Sequence, residues 1–379
     1  MSEPRTHILF VIVGISAGTG TFCKSLGAGL RKHFGNELKV SLLTFRPDAK
    51  LPENASNFDE TFVLSTSVDE DWRRLLAMPP AIFRLRRAVS EIRPDLIFTI
   101  GTFANVVSSM AIEGIPVVLS DHLNMTQRLS GARFGSATRW FMRRTYPDRL
   151  MIVASRELAE DLKQHFNVKR ALVIPNGIDA SVVKCRADEA SSVNLPSKYF
   201  VSVGRLTEQK DVGTLIRAFA SARHRGLTDE LVIAGDGEER TTLETLARDL
   251  DVAPHTHFLG HISNPYPVIQ KARGLVLSSI WEGFAYVPIE AMALGVPVIS
   301  TACPSGPVEI LGGGEFGMLV PPRDPDSLAA AMLKLSQDDA MHRNLAGKSL
   351  QRAQQLSVRN MSQQYREAFL SELQSHRRA

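Results

Sequence analysis

A chain of 379 residues, 44% hydrophobic and 22% charged, has the composition of a soluble globular protein and can hold two domains with full cores. No run approaches the roughly 20 apolar residues of a membrane span. Cys23, Cys185 and Cys303 are odd in number and lack Cys-x-x-Cys spacing, which speaks against a disulfide scaffold or a metal site and for a reducing, cytoplasmic setting. The net charge of +4 is uneven: residues 1–180 carry 23 Lys/Arg against 18 Asp/Glu, and the remainder 21 against 22. No nucleic-acid partner is expected.

The first apolar run, "HILFVIV", is read as a buried strand and not a signal peptide, because Glu3 precedes it and it merges into the glycine-containing "GISAGTGTFCKSL". That loop is one residue from a P-loop: Gly18 and four intervening residues are followed by Cys23-Lys24-Ser25, with Cys23 where the phosphate cradle needs glycine. It also misses the Gly-x-Gly-x-x-Gly turn, since Cys23 fills the third glycine position. Gly18 and Gly20 would allow close backbone approach to a phosphate or an acceptor, and Lys24 falls inside the following helix. "LKVSLLTF", "LIFTIG", "VVLSD", "RLMIVAS" and "ALVIP" read as further strands. Between them, 128–149 holds Arg128, Arg133, Arg139, Arg143, Arg144 and Arg149 against Asp148, interleaved with Trp140, Phe141 and Tyr146. This is either a solvated helix or a face for anionic lipid at the inner membrane surface, or for an anionic acceptor.

After the polar stretch "DASVVKCRADEASSVNLPSK" the pattern restarts with "YFVSVGR", "ELVIAGD", "THFLGHI", "GLVLSS", "PVIST" and "GMLVP". Continuous apolar runs alternating with helical stretches imply parallel sheets covered on both faces. Two doubly wound Rossmann-like α/β domains follow, 1–180 and 181–357, expected to face each other across a cleft at their strand carboxyl ends. In the tail, Met361, Tyr365, Phe369 and Leu373 recur at helical spacing and read as a core-packing stripe.

The densest chemistry lies in "SSIWEGFAYVPIEAMALGVPVIST". Glu282 falls in a loop after a strand. Pro288 suits the first turn of a helix and Gly295 its end, which places Glu290 in the first turn, where a carboxylate can accept two ribose hydroxyls and the helix amides can meet a diphosphate. In "VSVGRLTEQKD", Gly204 and Arg205 end a strand and Lys210 opens the next helical region, so a tight turn would bring two cations beside a diphosphate. Alone, each of these residues reads first as a surface, loop or helix-end charge.

Taken together with "VIPNGID", "FLGHI", "CPSGPVEIL" and "GMLVPPRDPDSLAAAM", these segments resemble, in order and spacing, the retaining glycosyltransferases of family 4, or group 1, which have the GT-B fold. The resemblance spans nearly the whole chain. It implies that the C-terminal helix, about 358–379, returns to an acceptor-binding N-terminal domain, while 181–357 binds the nucleotide sugar. Arg205 and Lys210 would hold the donor diphosphate, Glu290 the ribose, and Glu282 would lie near the transferred sugar. The backbone of Gly283, Phe284, Ala285 and Tyr286 would contact sugar and phosphate. His261 and Ile262 would flank the base, and His122 in "VVLSDHLNM" would contact the donor sugar. Relatives usually carry Gly-Gly-Ala-Glu-Arg where this chain has Ala17-Gly18-Thr19-Gly20-Thr21, so here the first loop is an accessory wall.

The resemblance implies transfer of a hexose-type sugar, UDP-linked by the look of "CPSGPVEIL", to an acceptor hydroxyl on a glycan or lipid-linked carrier. No side chain is placed as a nucleophile. Asp69-Glu70-Asp71 spells the Asp-x-Asp metal signature of the other glycosyltransferase fold, but it lies in a polar helix lead-in, so no cofactor and no essential metal are expected. A nicotinamide-dependent oxidoreductase is disfavoured by the broken fingerprint. A nucleotide-sugar epimerase would need an acid/base constellation that is not evident, and a silent nucleotide-sugar-binding subunit would not need Glu282, Glu290, Arg205, Lys210 and His122 together.

Overall fold

A computed structural model describes residues 5–14, 17–46, 57–64, 71–122, 124–129, 135–190 and 193–378. The chain divides into two compact units, Met1–Gly177 with Val358–Ala379, and Ile178–Ser357.

The first unit is built on a parallel sheet of seven strands: β1 (Thr6–Ile12), β2 (Leu38–Thr44), β3 (Glu60–Val63), β4 (Leu96–Ile100), β5 (Val117–Ser120), β6 (Leu150–Val153) and β7 (Arg170–Val173), in the order β3-β2-β1-β4-β5-β6-β7. β1, β4 and β5 are buried almost end to end because helices cover both faces, which is why they read as unbroken apolar runs. The strand absent from the sequence reading is β3. Its four residues, ETFV, lie at the sheet edge with both ends exposed, so no buried run announces it.

The second unit has six parallel strands, β8 (Tyr199–Val203), β9 (Glu230–Ala234), β10 (Thr256–Gly260), β11 (Gly274–Leu277), β12 (Val298–Thr301) and β13 (Met318–Val320), in the order β10-β9-β8-β11-β12-β13. Each sheet reverses its winding once, at β1/β4 and at β8/β11. Successive connections leave such a point in opposite directions, and the gap at the carboxyl ends is where open α/β sheets take ligands.

The C-terminal helix Val358–Arg378 belongs to the first unit, where Met361, Tyr365, Phe369 and Leu373 are all buried. Phe369 packs its ring 5.2 Å from Phe98 and 5.7 Å from Tyr365, and Phe10 and Phe22 complete an aromatic cluster under β1 and β4. Such edge-on contacts add to the area that the rings remove from water. Among the described residues no helix is long and apolar enough to cross a membrane.

The glycines of the first loop are helical. Gly18 and Gly20 lie in the opening of the helix Ala17–Phe34, and the space a Gly18 side chain would take is open. Lys24 lies within that helix. In the 128–149 stretch, Tyr146 and Met142 are core residues and Phe141 packs against the core, while Trp140 is 62% exposed. Tyr146 therefore cannot serve a lipid-facing surface. Arg133, the Arg128 side chain, Asp69 and Glu70 lie outside the described residues; Asp71 opens the helix Asp71–Ile92.

Because Phe369 is wholly buried and touches three aromatic rings, Phe369→Ala should lower the unfolding free energy of the first unit by about 3–5 kcal/mol. Urea titration with far-ultraviolet dichroism would measure it; an unchanged midpoint would remove the helix Val358–Arg378 from the core.

Candidate active site

The second unit's reversal point gathers most of the candidate residues. β8 ends at Val203, and Gly204 and Arg205 follow at once. The chain after β9 presses on this turn: Gly204 N–H donates to Ala234 O and Leu206 N–H to Asp236 O. Gly235 sits at φ +153°, and a Cβ there would lie 1.7 Å from Gly204 O. Only glycine fits, so "AGDG" shapes the turn that carries Arg205.

Arg205 is exposed and Lys210 half-buried, and both border one small cavity with Ser202, Gly204, Leu206 and Ser278. Lys210 ends the short 3-10 turn Glu208–Lys210, and Asp211 (φ +44°) then caps the helix Val212–His224 by accepting from Thr214. This turn fixes where Lys210 leaves the backbone.

Across the reversal point, β11 ends at Leu277 and leads to Glu282, which is 5% exposed. Lys210 Nζ lies 2.5 Å from Glu282 Oε1, and Ser279 Oγ donates to the same oxygen at 2.6 Å. The backbone around the pair is tied on both sides: Ile280 N–H donates to Gln209 O, Glu282 N–H to Pro304 O, and Gln209 Nε2 to Trp281 O. Ser278 Oγ donates to Lys210 O. Beneath, Gly306 (φ +113°) approaches so closely that a Cβ would lie 2.4 Å from Gly283 O. Burial pushes the nearby Cys303 thiol up to about 12, and likewise Cys23, so both are inert thiols.

Gly283 and Phe284 are buried, and Ala285 is the cap of the helix Tyr286–Ala293. Ala285 supplies no side-chain cap to this end. Glu290 is the fifth residue of the helix and lies in its second turn, not the first, because the helix starts at Tyr286; Pro288, its third residue, lies in the first turn as expected. Its partner is Tyr266, whose hydroxyl donates to Oε1 at 3.1 Å. Burial raises the Glu290 carboxyl above its ordinary range, and the Tyr266 hydrogen bond and the Arg186 charge work against that rise. Gly295 ends the helix region at φ +72°, as its place in the sequence suggested. His261 is exposed and Ile262 half-buried in the turn after β10.

In the first unit, His122 follows β5. Its Nε2 lies 3.2 Å from Ser120 Oγ, and its ring centroid is 4.1 Å from that of Phe22. Burial pushes its pKa down to about 4. A buried polar network holds the strand end beneath it. Thr99 Oγ1 donates to Asn105 Oδ1 (2.6 Å), Asn105 Nδ2 to Ser120 O and Asp121 Oδ2, and Tyr146 OH to Asp121 Oδ2. Sequence reasoning passed over Asn105, Asp121, Tyr266 and Arg186, because a lone polar residue in a helix or strand end carries no pattern until its partner is known.

Two outcomes follow. Lys210→Met leaves the Glu282 carboxylate buried without its cation, which costs about 3 kcal/mol by urea unfolding, and Lys210→Met with Glu282→Gln regains most of it; equal midpoints for the single and double variants would disprove the coupling. The His122 imidazole should titrate by NMR near pH 4 and stay neutral above about pH 5.5. Its folded pKa lies below the ordinary 6.5, so the unfolded chain takes the proton first and this group removes stability as pH falls from 6.5 toward 4. A midpoint at 6.5 would mean an open imidazole.

Residues 185–352 match the family described as glycosyl transferases group 1, and residues 16–182 match glycosyltransferase family 4. An uncharacterized glycosyltransferase of Methanocaldococcus jannaschii, MJ1059, is 25% identical over 339 residues, covering 75% of this chain and 81% of that protein. A Campylobacter jejuni enzyme, N-acetylgalactosamine-N,N'-diacetylbacillosaminyl-diphospho-undecaprenol 4-alpha-N-acetylgalactosaminyltransferase, is 32% identical over 207 residues, 54% of this chain and 55% of that protein. The structure of Anabaena Alr3699/HepE in complex with UDP superposes with a TM-score of 0.77 at 20% identity, covering 97% of this chain and 100% of that one, and such structural neighbours establish the GT-B fold. The chain is a glycosyltransferase of the group 1, family 4 type.

Proposed function

We propose that this enzyme transfers a hexose-type sugar from a UDP-sugar to an acceptor hydroxyl, with retention at the anomeric carbon, in the assembly of a polysaccharide, lipid-linked oligosaccharide or glycolipid. The observation that carries the reading is the Lys210–Glu282 pair, set beside Arg205 at the reversal point of the C-terminal sheet. Arg205 and the remaining donors of the Lys210 ammonium take the diphosphate, with the Gly283–Tyr286 backbone along the phosphate and sugar. Glu290 takes the ribose hydroxyls, and His261 with Ile262 flanks the base. His122, neutral, acts as a hydrogen-bonding group for the transferred sugar. The acceptors named for the Campylobacter relative, which are diphospho-undecaprenol-linked, support a lipid-linked acceptor here.

Glu282 is poorly suited to be a nucleophile, because Oε1 already accepts from an ammonium and a hydroxyl. In the proposed step the acceptor oxygen bonds to the anomeric carbon on the face that the diphosphate leaves. The anomeric C–O bond breaks, and the acceptor proton passes to the departing diphosphate. The protein orients the partners and supplies positive charge where negative charge grows. Arg205 and Lys210 fill the role a divalent cation would otherwise take, so no essential metal is proposed.

The test pairs binding with turnover. In a thermal-shift panel of UDP-, GDP- and ADP-sugars, a UDP-sugar at 100 times its Kd should stabilise by about 2.7 kcal/mol. Arg205→Ala touches no described partner, so it should keep its melting temperature while kcat/KM falls on the order of 100-fold. EDTA should leave turnover unchanged. A shift with another nucleotide alone, or full activity in Arg205→Ala, would overturn the assignment.

A further inference from the structure

The carboxylate assigned to the ribose is held in place before any donor arrives. Tyr266 lies in a half-buried setting at the start of the helix Tyr266–Gln270, and its hydroxyl reaches Glu290 Oε1 at 3.1 Å across 24 residues of chain. Oε2 of Glu290 takes no partner among the described residues. Tyr266 is itself braced from the helix Ala180–Ala187. The Arg186 guanidinium stands 5.0 Å from the Tyr266 ring centroid and donates to Ser263 O. Asn264 links the two segments: its Oδ1 accepts from Tyr266 N–H, while its Nδ2 donates to Arg186 O and Glu189 Oε2, each at 2.8 Å. The whole brace lies within the second unit.

We propose that Tyr266 is the positioning residue for Glu290: its hydroxyl, seated by Asn264 and Arg186, locks one carboxylate oxygen and leaves the other aimed at the ribose hydroxyls of the donor. The physical need is plain. The terminal torsion of a glutamate is a broad, nearly free rotor, and two neighbouring hydroxyls are recognised only by a carboxylate in one orientation. A hydrogen bond from a rigid phenol removes that freedom before binding. The same brace holds Ser263, one residue past the turn His261–Ile262, so the base and ribose sides of the site share one support. A consequence is discrimination between ribo- and deoxyribonucleotides, written into the enzyme by a tyrosine that never touches the sugar.

This inference rests on Glu290 being the ribose carboxylate, and the experiment separates the two. Calorimetry compares UDP with 2′-deoxy-UDP, and GDP with 2′-deoxy-GDP, on wild type and Tyr266→Phe, which keeps the ring and its packing. Wild type should bind the ribonucleotide about 10-fold more tightly. Tyr266→Phe should weaken the ribonucleotide about 5-fold, leave the deoxyribonucleotide within about 2-fold, and so collapse the ratio, with an unchanged melting temperature. A purely packing role would weaken both nucleotides alike. If wild type discriminates and Tyr266→Phe keeps the full ratio, the tyrosine proposal is overturned and the ribose role of Glu290 stands. If wild type binds both nucleotides equally, the ribose role itself falls, and with it the proposal. Should Tyr266→Phe melt early, Asn264→Ala, which loosens Tyr266 from outside, is read by the same ratio.

Discussion

The arrangement of the second unit depends on one buried attraction, Lys210 to Glu282. A carboxylate at 5% exposure is too costly without a counter-charge, so the loop after β11 can settle only where the ammonium reaches it. Once it does, the neighbouring bonds follow from register: Ser279 to the same oxygen, Ile280 to Gln209, Glu282 to Pro304. The ammonium has three donors and Glu282 engages one. Charge and donors therefore remain for an anion, and the residue that fastens the loop is also equipped to bind.

The sheet explains why this pair forms at this place. β8 and β11 are neighbours, 75 residues apart at their starts, and the connections from their carboxyl ends run to opposite sides. Loops that diverge leave backbone groups and side chains facing an opening. Gly235 and Gly306 then bring two further loops within backbone contact of Gly204 and Gly283, and no side chain could be accommodated at either point. The first unit shows the same logic with a different filling. Its strand end at β5 is fixed by a buried polar network through Asn105, Asp121 and Tyr146, all of whose members find partners, which rigidifies the segment that carries His122.

Much of this was legible in the chain, and for physical reasons. Strands buried on both faces must be apolar throughout, and the exposed edge strand β7 still carries the apolar Ala171-Leu172-Val173, so twelve of the thirteen strands among the described residues could be read directly; β3, an edge of four residues with exposed ends, has no such run. The helix-stop glycine at 295 was readable because φ +72° strongly favours that residue. Glu290 lies two residues deeper in its helix than expected, because proline is tolerated in a first turn without marking the first residue. Tyr146 was misplaced among the surface arginines because an aromatic on a basic helix has the same local pattern whether it faces in or out. The pairings Lys210–Glu282 and Tyr266–Glu290 lie 72 and 24 residues apart and leave no periodic trace.

The two glutamates of one short segment are held in opposite ways, and this bears on how a ligand would lie. Glu282 is neutralised by the Lys210 ammonium, and Lys210 borders one small cavity with the exposed Arg205, so a guanidinium and the spare ammonium donors stand on that side. Glu290 has a phenol for its hydrogen bond and only the partial help of Arg186, so its carboxyl is raised and its free oxygen invites uncharged hydroxyl donors. A diphosphate placed against Glu290 would meet a carboxylate, and a diol placed against Arg205 would leave a cation without an anion. Only one direction pairs every group. The proposed orientation, phosphate toward Arg205 and Lys210 and ribose toward Glu290, thus follows from the unequal partners of two identical side chains.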